Sequence, residues 1–128
     1  MFIDKLFNFF SNEDTEKKLN NLSINILQPQ GPLFFGSIEK LLKDYGTSAK
    51  HKILILDINN ITMIDLSGAY ALEDLINNLK LKNIKVILFN KNIRIENFLD
   101  KINFINNIGK DYYKNSKESV LSAILKFR

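Results

Sequence analysis

Cysteine is absent from this 128-residue sequence, and histidine occurs once. The first absence excludes disulfides, thiolate metal sites and cysteine nucleophiles. With His51 alone, a zinc centre lacks its usual ligands, and a Ser-His-Asp triad would depend on that one residue. His51 follows Lys50 just ahead of an apolar run, a position that reads as solvent-exposed loop. No metal and no cofactor are therefore expected. No apolar run approaches the roughly 18 residues that a bilayer-spanning helix needs. There is no Gly-rich phosphate loop and no Walker lysine, so nucleotide binding has little support. Basic blocks interleaved with aromatics are missing too, and a nucleic-acid partner is not expected.

What is present describes an ordinary soluble globular chain, 45% hydrophobic and 25% charged. Its length suits one domain with a real core. The 18 basic and 14 acidic residues leave a net charge of +4, spread along the chain. Such a mildly basic domain sits comfortably near an anionic cytoplasmic leaflet. The opening Met1 to Phe10 is apolar and aromatic but carries Asp4 and Lys5 and lacks a cleavage site, unlike a signal peptide. Phe2, Leu6, Phe9 and Phe10 fall on one side of a helix, and Ser11 to Asn21 reads as a polar linker. The expectation is an N-terminal segment and linker over 1–21 and a compact domain over 22–128.

Within that domain, Leu22, Ile24 and Ile26 alternate with polar residues as in a strand. Pro29 and Gly31-Pro32 force a turn, after which Leu33-Phe34-Phe35 reads as a second strand, paired antiparallel with the first. Ser37 to Tyr45 reads as a helix stopped by Gly46. Ile53 to Ile58 is nearly continuous in apolar residues, the pattern of a central strand covered on both faces. Leu66 to Leu81 has the helical period, and Ile84 to Phe89 is again a strand, so the stretch forms a βαβ unit. Further helices are predicted over Ile93 to Lys101 and Ser116 to Phe127. A turn at Phe104 to Ile108 and a brief edge strand at Asp111 to Tyr113 lie between them. Tyr112 and Tyr113 are read as covers for the edge of the core. The fold class is α/β, a mixed sheet of four to five strands with helices mainly on one face.

In open α/β sheets, ligands and partners gather beyond the carboxyl ends of the strands. The central strand leads there through Asn59 and Asn60 to Asp65-Leu66-Ser67-Gly68, which opens the longest helix. A hydroxyl at a helix start lies beside unpaired N–H groups and a positive end-field, a setting able to hold a phosphate. Two readings stand side by side. Asp65 is also a good N-cap and Gly68 permits close helix–sheet packing, with no functional role required. Asn59 and Asn60 suit the same end of the sheet, and equally an ordinary strand-to-loop turn. An enzyme would need a nucleophile–base pair or juxtaposed carboxylates. Asp57 and Asp65 flank one loop without an evident basic partner, so no enzymatic activity is expected.

The order Leu54-Ile55-Leu56-Asp57, Asn60, Ile64-Asp65-Leu66-Ser67-Gly68 and Ala71-Leu72 resembles the central segment of STAS domains. These occur in SulP anion transporters and in anti-sigma factor antagonists. Asn83 to Asn90 resembles their next strand. Gly31-Pro32-Leu33-Phe34-Phe35-Gly36 resembles the second strand and turn of STAS domains from bacterial SulP transporters. The likeness covers roughly Leu22 to Leu125. It implies a regulatory module at the cytoplasmic face of the plasma membrane, attached to a sulfate or other inorganic anion transporter. Its partners would be the transporter's membrane domain, a regulatory protein or a second copy. The alternative it implies is a free-standing anti-sigma factor antagonist, regulated by an anti-sigma factor kinase that phosphorylates Ser67. On either reading Asn59, Asn60, Asp65, Leu66 and Gly68 belong to the partner- or anion-facing loop.

Overall fold

A computed structural model of the chain describes residues 9–10, 23–46 and 52–127. His51 and the predicted linker lie outside the described residues, as do Phe2 and Leu6 of the N-terminal segment. The main sheet has four strands in the order β1-β3-β5-β6, and every neighbouring pair is parallel. These strands are β1 (Ile24–Leu27), β3 (Ile53–Asp57), β5 (Lys85–Phe89) and β6 (Tyr113–Lys114). A second parallel pair joins β2 (Gly31–Leu33) to β4 (Ile61–Ile64). The antiparallel hairpin expected of the first two strands is therefore not formed. β1 pairs with β3 and β2 with β4, so the turn at Pro29–Gly31 carries the chain onward from one strand pair to the next. Gly31, at φ 76°, adopts the left-handed conformation that this turn requires. The second strand also stops earlier than its sequence suggests, because Phe35 already begins helix α1 (Phe35–Gly46).

Alternation along the central strands divides the core in two. Leu54 and Leu56 of β3, with Val86 and Leu88 of β5, face one side. Against them pack α1, α2 (Leu66–Leu81), α3 (Ile93–Lys101) and the short α4 (Phe104–Ile108). Ile53, Ile55, Ile87 and Phe89 face the other side, covered by α5 (Lys117–Phe127) and by Phe9. Helices thus lie mainly on one face, as expected of the α/β class. Every residue of β3 is buried, as its unbroken apolar run implies for a strand covered on both faces. In α2 the buried set includes Ala69, Leu72, Leu75, Ile76 and Leu79, the helical stripe read from the sequence.

The remaining elements have equally local causes. Asn92 caps α3 by accepting from the N–H groups of Arg94 and Ile95. Ser116 and Ser119 bond reciprocally, hydroxyl to backbone N–H in both directions, and fix the start of α5. Phe104 to Ile108, expected as a turn, forms one short helix with Phe104 and Ile108 buried. Asn103, immediately before it, takes the left-handed conformation that asparagine tolerates better than most residues. Tyr112 stacks on Phe127 at 5.0 Å, while the Lys80 ammonium lies 4.3 Å from the Tyr112 ring and donates to the Ile108 carbonyl. Burial holds the Lys80 pKa below its ordinary value. The tyrosine pair does cover a core edge.

Candidate functional site

The site is built where β4 hands over to α2. Asp65 is the single residue between them, extended at φ −96° and ψ 175°. Its Oδ1 accepts the Gly68 N–H at 2.6 Å, and its backbone carbonyl accepts the Ala69 N–H. One of the helix's unpaired first-turn donors is thereby satisfied by a side chain. Gly68 is buried at the crossing with β2, where a Cβ would stand 2.3 Å from the Leu33 carbonyl oxygen. The glycine is a steric requirement of that approach. Both local readings of these two residues, cap and close packing, are realised in the fold.

Between them, Leu66 and Ser67 point outward and are exposed. Tyr70, one turn further along α2 from Leu66, is 51% exposed. The β2–β4 register sets Pro32 beside Met63 and Leu33 beside Ile64. Phe34 and Phe35 therefore emerge at the same end of the strand pair as Asp65 and Leu66. All of these large side chains remain exposed: Phe34 at 41%, Phe35 at 56%, Met63 at 46% and Leu66 at 47%. An apolar patch of this kind on a protein surface marks an interaction site more often than a catalytic one. Ser67 follows Leu66 in the exposed first turn of the longest helix. Among the described residues its hydroxyl makes no hydrogen bond, and no general base stands beside it.

Asn59 and Asn60 occupy the turn that precedes β4, whereas Asp65 to Gly68 follow it. Four strand residues, roughly 13 Å of extended chain, separate the two groups. Asn59 belongs to a different arrangement. Asp57, only 6% exposed, accepts from the Asn59 backbone N–H and side-chain amide on one oxygen and from the Gln28 amide on the other. Asn59 in turn accepts the Lys91 N–H at 2.6 Å. These bonds tie the carboxyl ends of β1, β3 and β5 together. The Asn60 carbonyl accepts the Gly31 N–H, the first bond of the β2–β4 pair.

A second tie lies beside it. Asn90, 1% exposed, donates to the Tyr113 hydroxyl, which itself donates to Glu96 at 2.8 Å. Burial, reinforced by the neighbouring Glu96 carboxylate, pushes the Tyr113 phenol well above its ordinary value of 10. Sequence reasoning missed β4, the exposed aromatics and both ties. The signal for β4 was present as Ile61-Thr62-Met63-Ile64, whose β-branched content suits a strand. Nothing local marks Asp57 as a hub, because its partners lie 29 and two residues away. No group of three or more metal-binding side chains occurs among the described residues.

The model of the STAS domain family matches residues 14–119. The chain belongs to the STAS-domain family. The family is not one of enzymes. Among curated proteins, this STAS domain is 30% identical over 98 residues to YvdB of Bacillus subtilis (strain 168), a proposed sulfate transporter. That match covers 75% of the chain but only 18% of the relative. The SulP transporter STAS domain from Vibrio cholerae is 27% identical, with a TM-score of 0.69. It covers 81% of this chain and 82% of its own. A sulfate transporter family protein from Wolinella succinogenes shares the fold at a TM-score of 0.71 and 24% identity, over 81% of this chain and 87% of its own. The likeness to SulP STAS domains read from the sequence is thus upheld by the family and by the solved fold. No helix among the described residues is long and apolar enough to cross a membrane.

Proposed function

We propose that the chain is the regulatory STAS domain of a SulP-type transporter of sulfate or a related inorganic anion. On this reading it lies at the cytoplasmic face of the plasma membrane. It acts through contacts with the transporter's membrane domain, a second copy or a cytosolic regulator, and does not carry the ion path. The observation that carries the proposal is the exposure of Phe34, Phe35, Met63, Leu66 and Tyr70, together with a Ser67 hydroxyl that makes no hydrogen bond among the described residues, in a chain related to SulP STAS domains. Burial of that apolar surface supplies the affinity of a partner contact. Ser67 supplies a position where phosphate would add nearly two negative charges and reverse it.

Ser67 also supports the alternative, a free-standing anti-sigma factor antagonist inactivated by phosphorylation of that serine. The two readings separate on the mass of the native polypeptide. An antibody against this domain, applied to fractionated source cells, is expected to detect a membrane-associated band several times larger than 14.8 kDa. A soluble band near 14.8 kDa would instead favour the antagonist.

A further inference from the structure

A cavity of about 400 Å³ opens between the β1–β2 connection and α1. Its size falls at the lower end of the roughly 300–1,000 Å³ typical of small-molecule sites. Leu27, Leu33 and Leu41 form an apolar floor, while Gln28, Ser37 and Lys40 contribute polar groups at its walls. Ser37, Lys40 and Leu41 are spaced i, i+3 and i+4 on α1 and so share the helix face turned to the cavity. Gln28 is held in place from behind, since its amide donates to Asp57 at 3.0 Å and Asp57 is itself fixed by Asn59. The Asp57 carboxylate is already engaged by these donors, and among the described residues no carboxylate lines the cavity. Among the described residues Lys40 is its one charged group.

We infer that this cavity binds a small amphiphilic monoanion, a carboxylate carrying a short aliphatic chain. The partly exposed Leu27 and Leu41 offer the chain an apolar surface above the buried Leu33, and the Lys40 ammonium offers the carboxylate a charge-assisted hydrogen bond of the stronger kind. A doubly charged inorganic anion is a poorer match, because it would leave the apolar floor uncovered and find one cation for two charges. The inference concerns the domain's own ligand and does not rest on the transporter reading.

The test uses the 128-residue chain, isotopically labelled, with amide chemical shifts followed during titration. Octanoate is the probe, octan-1-ol the uncharged control and acetate the control without a tail. Saturable octanoate shifts are expected at Leu27, Ser37 and Leu41. Both controls should bind roughly tenfold more weakly or worse, as loss of a charged hydrogen bond or of the buried chain implies. Lys40 is exposed on its helix, so Lys40→Met keeps the fold and the apolar stem. That variant should weaken octanoate by about tenfold and leave octan-1-ol unchanged. Absent or unsaturable shifts, shifts centred on another surface, octan-1-ol binding as tightly as octanoate, or unaltered octanoate affinity in Lys40→Met would each overturn the inference.

Discussion

Gly68 approaches the Leu33 backbone so closely that a side chain of any size at position 68 meets a carbonyl oxygen, at 2.3 Å for Cβ alone. The contact joins the start of α2 to the end of β2, and it holds the Ser67 loop against the strand from which Phe34 and Phe35 emerge. Leu33 O is backbone in a paired strand and cannot swing aside as a flexible side chain would. Gly68→Ala is therefore expected to destabilise the fold by roughly 1–3 kcal/mol, the usual range for overpacking. Urea denaturation checks it, and a wild-type midpoint would show that α2 can shift without loss.

Asp65 contributes as a cap. Asp65→Ala removes the acceptor for the Gly68 N–H and should cost about 0.5–2 kcal/mol. Asparagine caps nearly as well, so Asp65→Asn should remain close to wild type in stability. If Asp65→Asn keeps stability but loses partner binding, the carboxylate charge acts at the interface as well as in the cap.

Ser67 is exposed at the first turn of a helix, away from the core. Ser67→Asp is expected to change folding stability by no more than about 0.5 kcal/mol, as for surface substitutions generally. A slight gain is favoured by negative charge at a helix start. Affinity for the physiological partner should fall, because a charge enters an apolar surface. Unchanged affinity alongside intact folding would remove Ser67 from the proposed switch.

Asp57 carries the tie between β1, β3 and the loop after β5. Asp57→Ala strands the Asn59 donors and the Gln28 amide, and loss of hydrogen bonds to a buried carboxylate should cost roughly 2–3 kcal/mol. Asn59→Ala breaks its share of the same tie and also frees the Lys91 N–H. A double-mutant cycle should give a non-additive coupling between these neighbours, and strict additivity would show that they act independently.

Tyr113 makes stability depend on alkaline pH. Its folded pKa is raised above the ordinary 10 chiefly by burial, so the unfolded chain ionises first as pH climbs. The stabilisation is fully present below pH 10 and declines above it, as protons leave the unfolded state preferentially. Urea midpoints at pH 8 and pH 11 should therefore diverge more for wild type than for Tyr113→Phe. At pH 8 the same substitution should cost about 1 kcal/mol through the lost bond to Glu96. Equal alkaline losses in both proteins would refute the assignment.

Much of this fold was legible in local pattern. The stripe Ala69, Leu72, Leu75, Ile76 and Leu79 specifies α2, because a helix exposes one face to its core every 3.6 residues. The unbroken run Ile53 to Leu56 specifies a strand buried on both faces, for which no polar side is needed. The likeness to STAS domains could be read for the same reason, from short motifs in a fixed order. Strand pairing was not legible. Alternation in Ile24 to Leu27 says that a strand exists, but backbone hydrogen bonds look alike to any partner, and only the assembled sheet chose β3 over β2.

The candidate site divides along the same line. Asp65 as cap and Gly68 as spacer follow from residue type and position, since capping acts over three residues of chain. That Phe34, Phe35, Met63, Leu66 and Tyr70 would be left exposed is invisible in the sequence, where apolar residues read as core. Burial is decided by which faces the packed elements cover: Leu33 of β2 and Ile38 of α1 lie in the core with α2, while Phe34, Phe35, Met63, Leu66 and Tyr70 stay uncovered. The sequence by itself determined most of the elements, the cap and the family. Tertiary structure alone decided the strand order, the Asp57 tie and which apolar side chains face outward, because each depends on groups far apart in the chain.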